Sequence, residues 1–394
     1  MRILMVAPEP VFTPRGTPFS VAFRLKAYSE LGHQVDLATY PFGSNLRFPG
    51  LRTFRTSRVP GVRAVKVGPS LAKLPLDALL FGMASTLVAR GSYDLLHTHE
   101  EAGFWGTFAT GVRSLPHLYD MHSSLPQQLR NFHFGENALL IALFEALERI
   151  TLRRASAVIA ICRDLYERVR AIAPATPVAL IENVLDPSLI DENSSSGTAE
   201  VPSIRKNGFT ALYAGTFEPY QGIDLMLAAT RRVVREKSDF RLVMAGGTAE
   251  QIRQAERMAS ELGVRDRVQF LGAKSPAVVS KLMRQADVLI TARTSGTNTP
   301  LKIYSYLASG TPIVATDIYS HRQVLNEEVA VLVEPSAEGL ADGIARLARD
   351  AALRRRLSQR AKEYYRQRYS YERYLQQVEA ILKAALRKSR REGV

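Results

Sequence analysis

The chain has 394 residues, 46% of them apolar and 23% charged, an ordinary globular mixture longer than one hydrophobic core usually supports, so two domains are expected. Its single cysteine, Cys162, excludes an intramolecular disulfide and fits a reducing, cytoplasmic setting. A net charge of +14 favours acidic partners without choosing among membrane phosphate headgroups, nucleic acid and phosphorylated substrates.

The first residues, MRILMVAPEPVF, hold one early arginine and a short apolar run that stops at Pro8, which reads as a buried strand rather than a signal peptide. Next, TPFSVAFRLKAYSELGH has Thr17 as a cap, Pro18 in the first turn and Gly32 where a helix closes, giving a βαβ opening. Further short apolar runs follow at Val35, Asp94, His117, Ala157 and Val178. Alternating with amphipathic stretches, they imply a parallel sheet covered by helices. The longest apolar stretch, from Pro75 to Arg90, is interrupted by Asp77 and falls short of the roughly 20 residues needed to cross a bilayer, so it reads as a helix of a soluble fold.

Between residues 191 and 208 the text turns polar and rich in Ser and Gly, as a linker would. The strand and helix alternation then restarts, with runs at Phe209, Phe240, Arg267, Ala286, Pro312 and Val329. The expected fold is α/β: two Rossmann-like doubly wound domains facing across a cleft, with ligands beyond the carboxyl ends of the strands. The chain ends in an amphipathic helix with apolar residues at Leu375, Val378, Leu382 and Leu386 and a basic tail.

Three segments carry the chemistry. FTALYAGTFEPYQGID leads from a strand through Gly215 and Gly222 into a helix, an arrangement that suits a diphosphate and also serves as a plain α/β corner. The corner at Met244, with Gly246 and Gly247, reads both ways too. More informative is SGTNTPLKIYSYLASG, where Thr297, Asn298 and Thr299 precede a helix start that places Lys302 in its first turn, against the bland reading of a capped helix with a solvated lysine. His97 and His99 form an i, i+2 pair at a strand end; with no third ligand at sensible spacing, no metal is expected.

The succession YAGTFEPYQGIDLML, RLVMAGG, VQFLGA, ADVLI and GTNTPLKIYSYLASGTPIVAT resembles family 4, group 1 glycosyltransferases of the GT-B fold, and DLLHTHE, YDMHSS, AVIAICRDL and IENVLD extend the resemblance over nearly the whole chain. It implies a retaining hexosyltransferase using a nucleotide-sugar donor as substrate, with no cofactor. It also implies an acceptor domain at 1–190, a linker at 191–208, a donor domain at 209–370 and a C-terminal helix, 371–394, that crosses back to the first domain. His122 matches the histidine near the donor sugar; alone it would more often be structural. Gly16 matches the glycine loop facing donor phosphates or acceptor. Gly215, Thr216, Gln221, Gly246, Thr297, Asn298, Thr299, Pro300, Leu301, Lys302 and Ser305 fall on donor-binding positions. Thr216 and Gln221 stand where the family usually has Arg and Lys, and Thr297 and Ser305 where it has two glutamates with seven residues between them. Lys302 is placed to replace a lost charge and Ser305 to hydrogen-bond a ribose hydroxyl.

The expected function is transfer of a sugar from a nucleoside-diphosphate sugar, UDP favoured over GDP, to a hydroxyl of a glycan or lipid-linked acceptor. Competing readings are an epimerase or phosphorylase on the same fold, and an inactive sugar-nucleotide-binding subunit, which the lost charged residues make plausible. Basic residues at Arg47, Arg52, Arg55, Arg58, Arg63 and Lys66, and at Lys383, Arg387, Lys388, Arg390 and Arg391, suit a peripheral enzyme at an anionic inner membrane face, or simply solvated surface. No nucleic-acid recognition motif accompanies them, so nucleic acid is not expected.

Overall fold

The computed structural model describes residues 1–12, 16–62, 65, 73–131, 138–182, 201–204 and 208–392. The linker expected at 191–208 lies outside these except for 201–204 and Gly208, as do Arg63 and Lys66 of the basic stretch. Contacts divide the chain into two compact units, Met1–Asn183 with Glu372–Val394, and Val184–Tyr371.

Among the described residues of the first unit, seven parallel strands run in the order β3-β2-β1-β4-β5-β6-β7. They are β1 (Arg2–Ala7), β2 (Gln34–Thr39), β3 (Leu51–Arg55), β4 (Leu95–His99), β5 (His117–Met121), β6 (Ala157–Ala160) and β7 (Val178–Leu180). The central strands are buried along nearly their whole length, as expected where helices cover both faces of a parallel sheet. Those helices are α1 (Gly16–Glu30), α2 (Leu74–Arg90), α3 (Ala102–Arg113), α4 (Leu125–Asn131), α5 (Ala138–Arg154) and α6 (Arg163–Ile172). Helix α2 is the longest apolar stretch of the sequence; no helix among the described residues is long and apolar enough to cross a membrane.

Two local expectations change. Strand β3 occupies part of the basic stretch between Arg47 and Lys66, where no strand was expected: at the sheet edge it is half-exposed and carries no apolar alternation to announce it. Two of its arginines are also engaged. Arg52 Nε donates to Asp36 Oδ1 at 2.7 Å, and Arg55 donates to the carbonyls of Tyr40 at 3.0 Å and Val11 at 2.6 Å. Thr17 is not the cap of α1, which starts at Gly16; its hydroxyl bonds Glu100 at 3.3 Å instead.

In the second unit the described strands run β10-β9-β8-β11-β12-β13, all parallel. They are β8 (Thr210–Ala214), β9 (Arg241–Ala245), β10 (Val268–Gly272), β11 (Val288–Thr291), β12 (Ile313–Thr316) and β13 (Val331–Val333). The helices are α7 (Ile223–Glu236), α8 (Ala249–Glu261), α9 (Pro276–Gln285), α10 (Lys302–Ser309), α11 (Tyr319–Arg322), α12 (Ala337–Arg349) and α13 (Ala351–Tyr369). Side chains start several of them: Thr248 and Gln251 form a capping box on α8, and Ser275 and Ser336 accept from the first turns of α9 and α12.

The last helix, α14 (Tyr371–Glu392), belongs to the first unit. It buries Tyr374, Val378, Ile381, Leu382 and Ala385, one stripe at helical spacing. The expected core positions Leu375 and Leu386 are only half-buried, and Tyr374 takes the inner place. Each large aliphatic side chain so buried contributes about 1.5–3 kcal/mol. In both units the strand order reverses beside the central strand, between β1 and β4 and between β8 and β11, so loops leaving those strand ends diverge and open a crevice.

Candidate active site

The crevice of the second unit is built by the loop after β8, which begins at Gly215, and the loop after β11, which runs to Pro300. The loop after β8 also meets the corner after β9, where Gly246 lies. A Cβ on Gly246, whose φ is +124°, would collide with the Gly215 carbonyl, and a Cβ on Gly215 would lie 2.5 Å from Lys302 Nζ. At Gly246, against backbone, only glycine allows the two corners to meet.

Lys302 opens α10 and turns its ammonium inward. Nζ lies 3.9 Å from the centre of the Tyr213 ring and donates to Gln221 Oε1 at 3.1 Å. The Tyr213 hydroxyl in turn donates to the Thr216 carbonyl at 2.5 Å. Arg293, on the loop after β11, stacks 5.0 Å from the Tyr220 ring and donates through Nη1 to the Asn298 carbonyl at 2.7 Å, while its buried Nε has no hydrogen-bond partner. Among the described residues, neither cation pairs with a carboxylate. Burial, and then the charge of Arg293, hold the Lys302 ammonium well below the ordinary lysine range. Burial also lowers Arg293. Two cations forced together without an anion are costly unless a ligand supplies one. The lysine is therefore not the solvated residue of the bland reading, and Gln221, where a cation was expected, anchors one instead.

The other positions expected to bind the donor lie on the loops after β8, β9 and β11 and on α10. Gly246 follows β9 and donates its N–H to the Gly272 carbonyl at 2.8 Å. Thr216 and Thr297 are exposed; the Thr297 carbonyl accepts from the Gln323 side chain. Thr299 is buried with no hydrogen-bond partner for its hydroxyl. Pro300 and Leu301 form the turn into α10, their carbonyls accepting from Ile303 and Tyr304 at 3.1 and 3.2 Å. Ser305 is half-buried one turn along α10 from Lys302. Arg293 went unnoticed in the sequence; an arginine directly after a buried strand was the available signal.

The first unit gathers a different chemistry. Strands β4 and β5 pair with His99 opposite Asp120, so the two-residue period puts His97, His99 and Asp120 on one face, and His122 follows. His99 Nδ1 lies 3.0 Å from His122 Nε2, which is 3.3 Å from Asp120 Oδ1; His97 Nε2 is 3.6 Å from Oδ2. Arg24 of α1 donates to Asp120 Oδ2 at 2.9 Å, with both side chains fully excluded from solvent. Burial alone would raise the Asp120 carboxyl, but Arg24 and the imidazoles outweigh it and hold it well below the usual range. Burial lowers His122 to about 4 against the opposing pull of Asp120, so the imidazole is neutral at pH 7.

The histidine pair thus has the third partner the sequence failed to disclose: His97, His99 and Asp120 offer ligand atoms within 4.8 Å of one another. Because Arg24 already matches the carboxylate, a metal ion there would sit beside a fixed positive charge, a poor fit. Glu100, which follows β4, adopts φ 50° and accepts from Ser123 at 2.7 Å and Thr17 at 3.3 Å; burial, then Glu101, raise its carboxyl to about 7. Left-handed backbone and a raised carboxyl set it apart, and sequence reasoning did not single it out. Gly16 opens α1, and the preceding residues 13–15 lie outside the described ones.

Residues 198–364 match the family described as Glycosyl transferases group 1, and residues 24–184 match the Glycosyl transferase 4-like domain. The chain belongs to the group 1 glycosyltransferases. This glycosyltransferase is 28% identical over 368 residues to the phosphatidyl-myo-inositol mannosyltransferase of Mycobacterium tuberculosis, covering 90% of each chain. Its fold is similar to that of sucrose-phosphate synthase from Thermosynechococcus elongatus, with a TM-score of 0.75, 21% identity and coverage of 97% of this chain and 98% of that one. It is also similar to Anabaena HepE solved with UDP-glucose, with a TM-score of 0.71, 17% identity and coverage of 98% and 100%. The glycosyltransferase has the GT-B fold of two Rossmann-like domains and acts as a hexosyltransferase on a nucleotide-sugar donor.

Proposed function

We propose that this enzyme transfers a hexose from a UDP-sugar, with retention of anomeric configuration, to a hydroxyl of a lipid-linked acceptor on the cytoplasmic face of a membrane. The observation that carries the reading is the pair Lys302 and Arg293, two cations without a carboxylate partner at the strand-order reversal of the second unit. A diphosphate supplies the missing anion. Breaking the anomeric C–O bond moves an electron pair onto the leaving β-phosphate oxygen, and Lys302 and Arg293 stabilise that charge more strongly as it develops. The acceptor oxygen forms the new bond to the anomeric carbon, and its proton passes to a phosphate oxygen. His122, neutral at working pH, contacts the donor sugar near the reacting carbon.

The UDP preference draws on HepE, solved with UDP-glucose, and the lipid acceptor on the relative named as a phosphatidyl-myo-inositol mannosyltransferase. Helix α5 supports the membrane setting. Its outward face exposes Leu139 by 85% and Leu143 by 54%, and Arg149 and Arg154 are exposed toward its end. An apolar stripe followed by arginines suits the interface of an anionic leaflet. Mass spectrometry of reactions with UDP-hexoses and phosphatidylinositol vesicles, with NMR of the new anomeric proton, tests the proposal. An inverted anomer, or a donor consumed only as a GDP-sugar, would sink the corresponding half of it.

A further inference from the structure

The Arg24–Asp120 pair raises a question that stability does not answer. A buried ion pair is commonly matched or bettered in stability by apolar residues of similar volume, so stability alone does not account for it. Every nitrogen of Arg24 is used: Nε donates to Asp120 Oδ2 at 2.9 Å, Nη1 to the Tyr374 hydroxyl at 2.5 Å and Nη2 to the Ile181 carbonyl at 3.3 Å. Tyr374 comes from α14, 350 residues along the chain. The guanidinium thus fixes one carboxylate oxygen and leaves the other, Oδ1, without a hydrogen bond among the described residues and in electrostatic contact with His122 Nε2 at 3.3 Å.

We propose that Asp120 is a positioning residue for His122: clamped by Arg24 and Tyr374, its carboxylate holds the imidazole of His122 as the Nε2–H tautomer in one fixed orientation. An ionised carboxylate only accepts, so a bare nitrogen lone pair facing it would be repelled and a proton on Nε2 attracted. The assignment also sets the tautomers of the neighbouring rings, with no acceptor among the described residues within hydrogen-bond distance of His97 Nε2 or His99 Nε2. His122 Nε2–H also points at His99 Nδ1, 3.0 Å away, which leaves the His99 proton on Nε2. The Tyr28 hydroxyl, 2.8 Å from His97 Nδ1, donates there, so that His97 carries its proton on Nε2, 3.6 Å from Asp120 Oδ2. The carboxylate thereby orients His122, and Tyr374 of the last helix completes its clamp. The inference rests on the reading that His122 lies at the reacting centre.

The test uses the full chain, labelled with 15N-histidine, and UDP-glucose and GDP-mannose as donor probes. In the wild-type protein the 15N shifts of His122 should report the Nε2–H tautomer, a readout independent of turnover; the Nδ1–H tautomer would overturn the proposal. Replacing the pair by apolar residues, Arg24→Met with Asp120→Leu, should leave the melting temperature at or above that of wild type. In that variant kcat should fall about 10- to 100-fold while donor KM stays within about threefold. A folded double variant with undiminished kcat would overturn the proposal. Should that variant fail to fold, Tyr374→Phe, which removes one hydroxyl, should still lower kcat several-fold and broaden the His122 tautomer signal; unchanged values would overturn it. His122→Ala with full turnover would instead end the reading of His122 itself.

Discussion

The ammonium of Lys302 lies 3.9 Å from the centre of the Tyr213 ring and 3.1 Å from Gln221 Oε1, with no carboxylate paired to it among the described residues. Its pKa is held well below the ordinary lysine range by burial and by Arg293, so the free protein binds fewer protons at this site than the unfolded chain does. Folded-state stability at this residue therefore rises with pH from the native pKa toward the unfolded value. A bound diphosphate reverses the bias by favouring the charged amine. Binding of UDP should thus favour proton uptake, visible as a binding enthalpy that changes between buffers of different ionisation enthalpy. An enthalpy independent of buffer would contradict the assignment.

Gly246 has φ +124° and its backbone abuts the Gly215 carbonyl. Gly246→Ala should lower stability by about 1–3 kcal/mol through backbone strain and collision. It should also weaken UDP binding by spreading the two loops. Thermal unfolding with and without UDP measures both, and a variant matching wild type in each would show that the close approach is unimportant.

Buried histidines predict acid sensitivity. Burial lowers His122 to about 4, His321 to about 4 and His117 to about 3. His122 is faced by Asp120, Arg24, His97 and His99; His321 by Arg293, Lys302 and Asp317; His117 by His97 and Thr98. Since the folded-state values lie below 6.5, the unfolded chain binds the extra protons as pH falls from 6.5 to 4, and stability is lost through that window. Melting temperatures recorded from pH 7.5 to pH 5 should decline below about pH 6.5. A flat profile would count against neutral buried imidazoles.

On the outward face of α5, Leu139→Gln combined with Leu143→Gln should reduce co-flotation with phosphatidylglycerol vesicles about tenfold, because two exposed leucines would leave an apolar interface. Zwitterionic vesicles should bind less than anionic ones. Equal flotation of variant and wild type would remove α5 from membrane attachment.

Much of the fold was legible because parallel strands buried on both faces read as continuous apolar runs, and β1, β2, β8, β9 and β12 stand where those runs predict. Strand β3 was not, since an edge strand written LRTFR offers no such run. The chemistry divided in the same way. Lys302 was visible because a family pattern and a helix start coincide at it. Arg24, Asp120 and Tyr374 were invisible as a group because their contacts span 96 and 350 residues, and no local spacing encodes that. Arg293 escaped notice because nothing in sequence says that the arginine after β11 turns inward.

The most direct measurement is calorimetric titration of UDP and of uridine into wild type, Lys302→Ala and Arg293→Ala. If the two cations hold the diphosphate, each substitution should weaken UDP about 10- to 100-fold, the value of a charge-assisted hydrogen bond, and leave uridine unchanged. UDP affinity that survives both substitutions would contradict the account.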